Sequence, residues 1–421
     1  MTASQRFKPL RVRLLALLAV VGPGIITANA DNDAGGVTTY SVAGAHYGYS
    51  LLWIMPLVAF ALVIVQEMSA RLGVVTGKGL AGIIRENMGV RTAAIVLGVL
   101  MTANFTNTIC EFAGVAASLE VFGVSKYISV PLAAAAVWLL VVKGSYKAVE
   151  RIFLVASALY LAYIASAIFA RPSWPMVTQA FVTPDLRFET DYVLLAITVI
   201  GTTIAPWMQF YQQSAIADKG LKAADYAYER LDVIVGSLFG ALIACFIVIA
   251  CAATIFAHGL RIETAKDAAL ALGPLAGPYA SALFALGLLN ASFFTAAILP
   301  LSTAYVFCEA FGWESGVDRG LKEAPIFFGI YTTIIVLGAG IILLPIKSLV
   351  QVILASQTFN GLLLPVILIV MLRLINDRRL MGRFVNGRIS NILSFGIVIA
   401  LIALTAILLI TSLFPGFLGS G

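Results

Sequence analysis

The stretch Asn29-Ala30-Asp31-Asn32-Asp33-Ala34-Gly35-Gly36 lies between two apolar runs and places two carboxylates inside a predicted membrane span. An acidic side chain costs about 2.5 to 3.5 kcal/mol at the centre of a membrane helix on insertion scales. The stretch is also rich in poor helix formers. We therefore predict that the helix is interrupted here, which would free backbone carbonyls beside the two aspartates.

The composition outside this stretch is also that of a membrane protein. Hydrophobic residues make up 61 % and charged residues 11 % of the 421 residues, with a mean hydropathy of +0.99. A helix needs about 20 apolar residues to cross a bilayer. Eleven such spans are predicted, at 14–47, 50–71, 93–123, 127–143, 150–170, 191–216, 232–257, 275–310, 325–346, 349–374 and 391–414. The prediction is one all-α transmembrane domain over residues 1–421.

The basic residues predict the orientation of the chain. Under the eleven-span model, 21 of the 27 Lys and Arg residues fall on one side of the membrane. Because Lys and Arg accumulate in cytoplasmic loops, we place the N-terminus in the cytoplasm and the C-terminus outside, in a plasma or inner membrane. The net charge of +6 is explained by these loops, so we expect no nucleic-acid partner.

A second interruption is predicted in the sixth span. Gly201-Thr202-Thr203-Ile204-Ala205-Pro206-Trp207 places a glycine and a proline in an apolar stretch. If spans 1–5 (about 14–170) and 6–10 (about 191–374) are inverted repeats, each half begins with a broken helix. Transporters of that design bind their substrate at the two breaks, near the middle of the membrane. Span 11 is then an addition to the repeats.

Three further polar residues lie inside predicted spans. Glu111 is a candidate proton-relay carboxylate or an interhelical hydrogen-bonding residue. Gln357 and Asn360 are three residues apart and share a helix face, where they would complete a cation site or hold helices together. The sequence alone leaves both pairs of alternatives open.

Carboxylates together with free carbonyls form a site for a hard cation. The alternative is a kink whose carboxylates are satisfied by neighbouring helices. The sequence offers no nucleotide-binding loop, no zinc pattern among its four cysteines and only two histidines. We therefore expect no enzyme activity, no nucleotide and no prosthetic group, with the metal ion as substrate.

At these residues the sequence resembles the Nramp family of divalent metal transporters. The resemblance is carried by Gly22-Pro23-Gly24, Gln66, Ala70-Arg71-Leu72-Gly73, Val75-Thr76-Gly77-Lys78, Glu111 with Gly114, Ser356-Gln357, and Asp377 through Met381-Gly382 to Asn386. It extends over most of the chain. It implies a LeuT-like fold of two inverted five-helix repeats, with helices 1 and 6 discontinuous.

The resemblance also implies roles for individual residues. Asp33 matches the aspartate of the family's Asp-Pro-Gly-Asn motif, and Ala30 and Thr202 match residues whose carbonyls face the ion. Gln357 matches a glutamine near the ion path, and Glu111 a glutamate associated with proton movement. Further candidates for the site or its coupling are Asp31, Thr203 and Asn360.

The chain departs from the family pattern near the ion. Gly36 replaces the motif asparagine and Ala34 its proline, Ala205 replaces a methionine that favours manganese and iron, and Trp207 replaces a histidine tied to proton coupling. Loss of a thioether and an amide leaves a wider site with oxygen ligands, which suit Mg²⁺, Ca²⁺ and Mn²⁺. A partly hydrated ion such as Mg²⁺ would fit there.

The resulting prediction is a secondary transporter of divalent metal ions (Mn²⁺, Mg²⁺ or Fe²⁺) that works by alternating access as a monomer. Proton coupling is one option for it. The alternative is a cation-coupled carrier of an organic solute such as an amino acid, since one fold hosts both. Two aspartates at the centre would repel an organic carboxylate.

Overall fold

The computed structural model describes residues 32–143, 157–317 and 319–413, and these ranges contain helices and no β-strand. The longer helices are α1 Ala34–Tyr47, α2 Ile54–Thr76, α3 Leu80–Glu120, α4 Lys126–Lys143, α5 Leu161–Phe169, α6 Trp174–Val182, α7 Thr190–Thr203, α8 Pro206–Asp218, α9 Tyr226–Thr254, α10 Ala280–Phe311, α11 Pro325–Ile342, α12 Leu349–Ile375 and α13 Arg388–Leu413. Short helical turns precede α5 and lie between α9 and α10 and between α12 and α13.

Nine segments of the described residues are long and apolar enough to cross a membrane. They correspond to nine of the eleven predicted spans. The first and fifth spans lie partly in residues 1–31 and 144–156, outside the described ranges, and their described parts are α1 and α5. The range given for α3 joins two helical segments at Gly89, whose φ of 81° and ψ of 168° are not helical and favour glycine. The segment after Gly89 corresponds to the predicted third span.

The predicted break in the sixth span is confirmed between α7 and α8. Ile204 has φ −122° and ψ 64°, and Ala205 is extended with φ −69° and ψ 138°. Pro206 opens α8, where its missing N–H leaves no helix hydrogen bond unmade. Because proline disfavours the helical conformation in the preceding residue, Ala205 is the position at which the helix is interrupted.

In the described part of the first span the helix begins only at Ala34. Asp33 precedes α1 in an extended conformation, with φ −74° and ψ −171°. The sequence placed the interruption through Gly36, and this part of the prediction is wrong, since Ala34, Gly35 and Gly36 are helical. Their backbone groups are used by the helix because the Asp33 side chain caps its first turn. The residues before Asn32 lie outside the described ranges.

Close backbone approach joins α7 to α12. A methyl group added at Gly201 would lie 2.3 Å from both the Gln357 carbonyl oxygen and the Gly361 nitrogen. One added at Gly361 would lie 2.6 Å from the Ile197 carbonyl oxygen. Small residues allow membrane helices to approach closely, and packing contacts rather than a hydrophobic driving force hold such helices together. The two glycines therefore fix the end of α7 against α12.

Contacts between loops agree with the predicted alternation of sides. The Arg71 side chain hydrogen-bonds Asn386, and the Gln213 amide donates to the Lys78 carbonyl oxygen at 3.0 Å. All of these residues belong to loops or helix ends that the eleven-span model places on one side. On the other side, the Lys126 ammonium donates to the Leu344 carbonyl oxygen at 2.6 Å.

We expect Gly201→Ala to destabilise the protein by about 1–3 kcal/mol, because the added methyl meets backbone atoms that cannot move independently. Thermal unfolding of the detergent-purified protein, followed by intrinsic fluorescence, measures the change. Gly98→Ala in α3 is the matched control, since a methyl there meets open space and alanine favours the helix. Equal melting temperatures for the two variants would contradict the close packing of α7 on α12.

Candidate metal site

Asp33 marks the first turn of α1, at the interrupted end of the helix. Its Oδ1 accepts a hydrogen bond from the Gly36 backbone N–H at 2.7 Å, and the side chain is 5 % exposed. A helix N-terminus favours a negative charge because its first N–H groups have no partner within the helix. The fold therefore stabilises a carboxylate at this end of α1 through backbone N–H groups.

Glu111 on α3 faces the same end of α1. Its Oε2 accepts from the Ala34 backbone N–H at 3.4 Å, and the side chain is fully buried. The carboxyl groups of Asp33 and Glu111 lie within hydrogen-bonding reach of each other. None of the ion pairs found among the described residues involves either group. Two adjacent buried carboxylates repel each other unless a proton or a cation lies between them.

Gln357 reaches Asp33 from α12. The position that a Cβ atom would take at Gly35 lies 2.0 Å from Gln357 Nε2 and 3.0 Å from Asp33 Oδ1. Because Gly35 has no side chain, the Gln357 amide and the Asp33 carboxylate both have space beside it. A hydrogen bond of 2.8 Å from Asn360 Nδ2 to Gln357 Oε1 holds the other end of the amide.

The break between α7 and α8 lies close to Gln357. Gly201 packs on the Gln357 backbone, and Thr203 Oγ1 lies 2.8 Å from the Tyr40 hydroxyl on α1. The intervening Thr202 is buried, and its hydroxyl has no hydrogen-bond partner among the described residues. The buried amide of Asn32 is likewise without a partner in the described part of the chain. Each break thus holds buried polar atoms of the kind that a bound ion or water satisfies.

Comparison with known proteins identifies the family. The model described as natural resistance-associated macrophage protein-like, Nramp, matches residues 24–411. The chain belongs to the Nramp family. Among curated relatives of this Nramp chain, "Divalent metal cation transporter MntH" of Yersinia enterocolitica is 29 % identical over 405 residues, covering 94 % of this chain and 95 % of that protein. The protein of the same name from Bacillus subtilis is 27 % identical, covering 94 % and 92 %.

Solved structures confirm the LeuT-like fold predicted for this Nramp chain. A crystal structure of the Eremococcus coleocola manganese transporter has a TM-score of 0.78 at 21 % identity, covering 98 % of this chain and 90 % of that one. The nucleobase-cation-symport-1 family transporter MHP1 has a TM-score of 0.59 at 14 % identity, covering 94 % of each chain. At these identities the likeness concerns the fold alone.

Two of the departures from the Nramp pattern, Ala205 and Trp207, lie at the second break. Ala205 precedes α8, and its carbonyl oxygen lies 2.9 Å from the Gln209 amide, whose nitrogen donates to it. Ala205 therefore offers neither a side-chain ligand nor a free carbonyl. Trp207 is 1 % exposed and packs against the ring of Tyr211, with centroids 5.9 Å apart. An indole N–H only donates hydrogen bonds, so Trp207 has no site for a cation or an extra proton.

Two predicted site residues, Ala30 and Asp31, lie outside the described residues. The contacts above bring together Asp33, Gly36, Glu111, Gln357 and Asn360, with the Thr202–Thr203 segment beside them. No group of three or more His, Cys, Asp or Glu side chains within the described ranges has a metal-binding arrangement. A metal ion at this place would therefore depend on carboxylate, amide and backbone oxygens.

The sequence analysis missed Asn107. This buried α3 residue accepts hydrogen bonds from Ser356, Gln357 and Asn360 through Oδ1, at 2.9, 3.2 and 2.9 Å. Its only signal in the sequence was its place in the polar run that leads to Glu111. Cys110 is also closer to the site than a packing role implied, with its sulfur 3.6 Å from Gln357 Nε2.

A cavity of about 600 Å³ opens on the side predicted to be extracytoplasmic. Glu189 and Asp191 line it together with Arg261. Its deeper wall includes Thr198 and Thr358, whose hydroxyls lie 2.7 Å apart. Thr358 follows Gln357 in the chain, while Asp33, Glu111 and Gln357 are not among the residues that line the cavity.

We expect Thr203→Val to destabilise the protein by about 1–3 kcal/mol, because it leaves the buried Tyr40 hydroxyl without this partner while keeping the side-chain shape. Thermal unfolding of the purified protein is the measurement. Thr39→Val is the matched control: Thr39 is buried on α1, and its hydroxyl has no hydrogen-bond partner among the described residues. A control variant that loses as much stability as Thr203→Val would refute the role of the Tyr40 contact.

Proposed function

We propose that this Nramp protein is a secondary transporter that moves divalent metal ions across a membrane by alternating access. The observation that carries the proposal is the pair of buried carboxyl groups, Asp33 and Glu111, which lie together at an interrupted helix without an ion pair among the described residues. Burying two negatively charged carboxylates costs less free energy when a dication binds beside them and neutralises their charge. The names of the MntH relatives and of the manganese transporter agree with this substrate class.

In this proposal the Asp33 carboxylate is the principal ligand. Gln357 supplies a side-chain oxygen, and Thr202 and Ala30 supply backbone carbonyls at the two breaks. Glu111 balances charge beside Asp33, while Thr203 and Asn360 hold the surrounding helices. Asp31 is a further carboxylate of the first break. The metal is cargo, and the whole chain acts as one transport domain.

The small residues at positions 36 and 205 lead us to propose weak discrimination among divalent ions. Gly36 and Ala205 have no side-chain oxygen or sulfur to offer, so part of the coordination shell stays with water. Mg²⁺ gives up its water reluctantly and is commonly bound with several waters retained. We therefore propose that Mg²⁺ and Mn²⁺ are both substrates, with Fe²⁺ also admissible.

The side of the membrane and the coupling ion are part of the same proposal. We place the loops that contain Arg71, Arg85 and Arg378 in the cytoplasm, by the distribution of basic residues. The cavity beside Glu189 and Asp191 is then the external entrance. Because Trp207 cannot bind a proton, any accompanying proton has to use Glu111 or Asp33.

Asp33→Asn should reduce uptake of Mn²⁺ and Mg²⁺ into proteoliposomes to the level of protein-free liposomes, since the neutral amide keeps the shape and removes the charge that binds the dication. Asp185→Asn, at an exposed carboxylate in the loop before α7, is the matched control and should transport like the wild type. Equal melting temperatures establish that both variants are folded. Unchanged uptake by Asp33→Asn, or no uptake by the wild type, refutes the proposal.

The double substitution Gly36→Asn with Ala205→Met should raise the preference for Mn²⁺ over Mg²⁺ by about tenfold or more, because an amide and a thioether replace water and a soft sulfur ligand disfavours Mg²⁺. The measurement is competition of Mg²⁺ and Ca²⁺ against Mn²⁺ uptake, with internal pH recorded in the same liposomes. Gly98→Ala is the control for differences in purification and reconstitution between variants. A ratio unchanged from the wild type would contradict the assigned cause of weak discrimination.

A further inference from the structure

The α3 residue Asn107 lies at the centre of a buried amide cluster made by Asn107, Ser356, Gln357 and Asn360. Its Oδ1 accepts hydrogen bonds from three donors, all of them on α12, at 2.9 to 3.2 Å. Its Nδ2 donates to Asn360 Oδ1 at 3.1 Å. Asn107 therefore uses its acceptor and its donor entirely on the helix that carries Gln357.

Gln357 is held at both ends of its amide by this cluster. Its Nε2 donates to Asn107 Oδ1 at 3.2 Å, and its Oε1 accepts from Asn360 Nδ2 at 2.8 Å. Asn360 is itself held by two hydrogen bonds to Asn107. One residue on α3 thus controls the orientation of the Gln357 amide directly and through Asn360.

The held amide lies on the same side of Gly35 as the Asp33 carboxylate. Gln357 Nε2 and Asp33 Oδ1 both lie within 3.0 Å of the position that a Gly35 Cβ would take. All four members of the amide cluster are nearly or fully inaccessible to solvent, so water cannot replace a lost partner cheaply. A change at Asn107 is therefore transmitted to the space beside Asp33.

We propose that Asn107 is the positioning residue for the metal site, and that it sets the affinity for the ion by holding Gln357 beside Asp33. The proposal rests on the proposed function. In the structure Gln357 Nε2 lies on the Gly35 side and Oε1 faces Asn360, so the ion binds Oε1 by displacing the hydrogen bond from Asn360, while the one from Nε2 to Asn107 stays. Asn107 thereby removes most of the orientational freedom that a glutamine would otherwise lose on binding.

The test is a double-mutant cycle on Mn²⁺ uptake in proteoliposomes. Asn107→Ala should raise KM by about tenfold, in the range seen when residues that orient metal ligands are removed. Gln357→Ala should raise KM by a similar factor, and the double variant no further, because both changes remove the same held amide. Maximal uptake should stay within about twofold of the wild type, since the moving helices are untouched.

Two further variants separate positioning from general packing. Asn107→Asp keeps the acceptor that takes all three donors but replaces the Nδ2 donor to Asn360 with an oxygen, so its KM should rise less than that of Asn107→Ala. Asn104→Ala, one turn earlier on α3, removes a hydrogen bond of 2.7 Å to Thr303 rather than to α12 and should leave KM unchanged.

Three outcomes overturn the inference alone, provided that wild-type uptake depends on Asp33. They are an unchanged KM for Asn107→Ala, effects that add in the double variant, and a KM for Asn104→Ala raised as much as that for Asn107→Ala. Absence of wild-type uptake overturns the proposed function and this inference together. The expected KM pattern with near-constant maximal uptake supports it.

Discussion

A carboxylate that is buried in an apolar helical protein and has no ion pair among the described residues is the constraint on which the rest of this structure depends. Asp33 is 5 % exposed and is stabilised by the Gly36 N–H at the first turn of α1. Such a group is costly in a membrane, and the interruption before Ala34 is what provides it with helix N–H groups. The start of α1 and the acidic residue therefore explain each other, because the carboxylate accepts a hydrogen bond from an N–H group that has no partner within the helix.

Small residues bring the elements of the site together. Gly35 leaves room for Gln357 beside Asp33, and Gly201 and Gly361 let α7 approach α12 until their backbones touch. Gly36 and Ala205 are also small, and their side chains offer no oxygen or sulfur atom that could favour one metal over another. The close packing and the weak discrimination that we propose would thus have a common origin, because side-chain atoms that would bind an ion also occupy space between helices.

Buried hydrogen bonds join the helices that surround the site. The amide cluster of Asn107, Ser356, Gln357 and Asn360 ties α3 to α12 with several buried hydrogen bonds. Tyr40 and Thr203 form the hydrogen bond seen between α1 and α7, the two helices that begin or end at breaks. Alternating access in folds of this type moves one group of helices against another. The distribution of these bonds is suited to such a motion.

The sequence by itself determined where the chain crosses the membrane and where its helices break. Local chemistry decides both: apolar runs of span length in the first case, Pro206 and the Asp33 region in the second. It also singled out Glu111, Gln357 and Asn360, because polar groups inside apolar spans are rare. It did not fix the limit of the first break, since whether Gly35 and Gly36 are helical depends on the cap that Asp33 makes.

Only the tertiary structure decided which of these polar groups meet. That Glu111 lies against Asp33, that Asn107 holds Gln357, and that Gln209 occupies the Ala205 carbonyl follow from how helices distant in sequence pack. No local pattern encodes those pairings, because an amide or carboxyl takes its orientation from partners that packing brings within about 3 Å. The residues came from the sequence, and their arrangement into a site came from the fold.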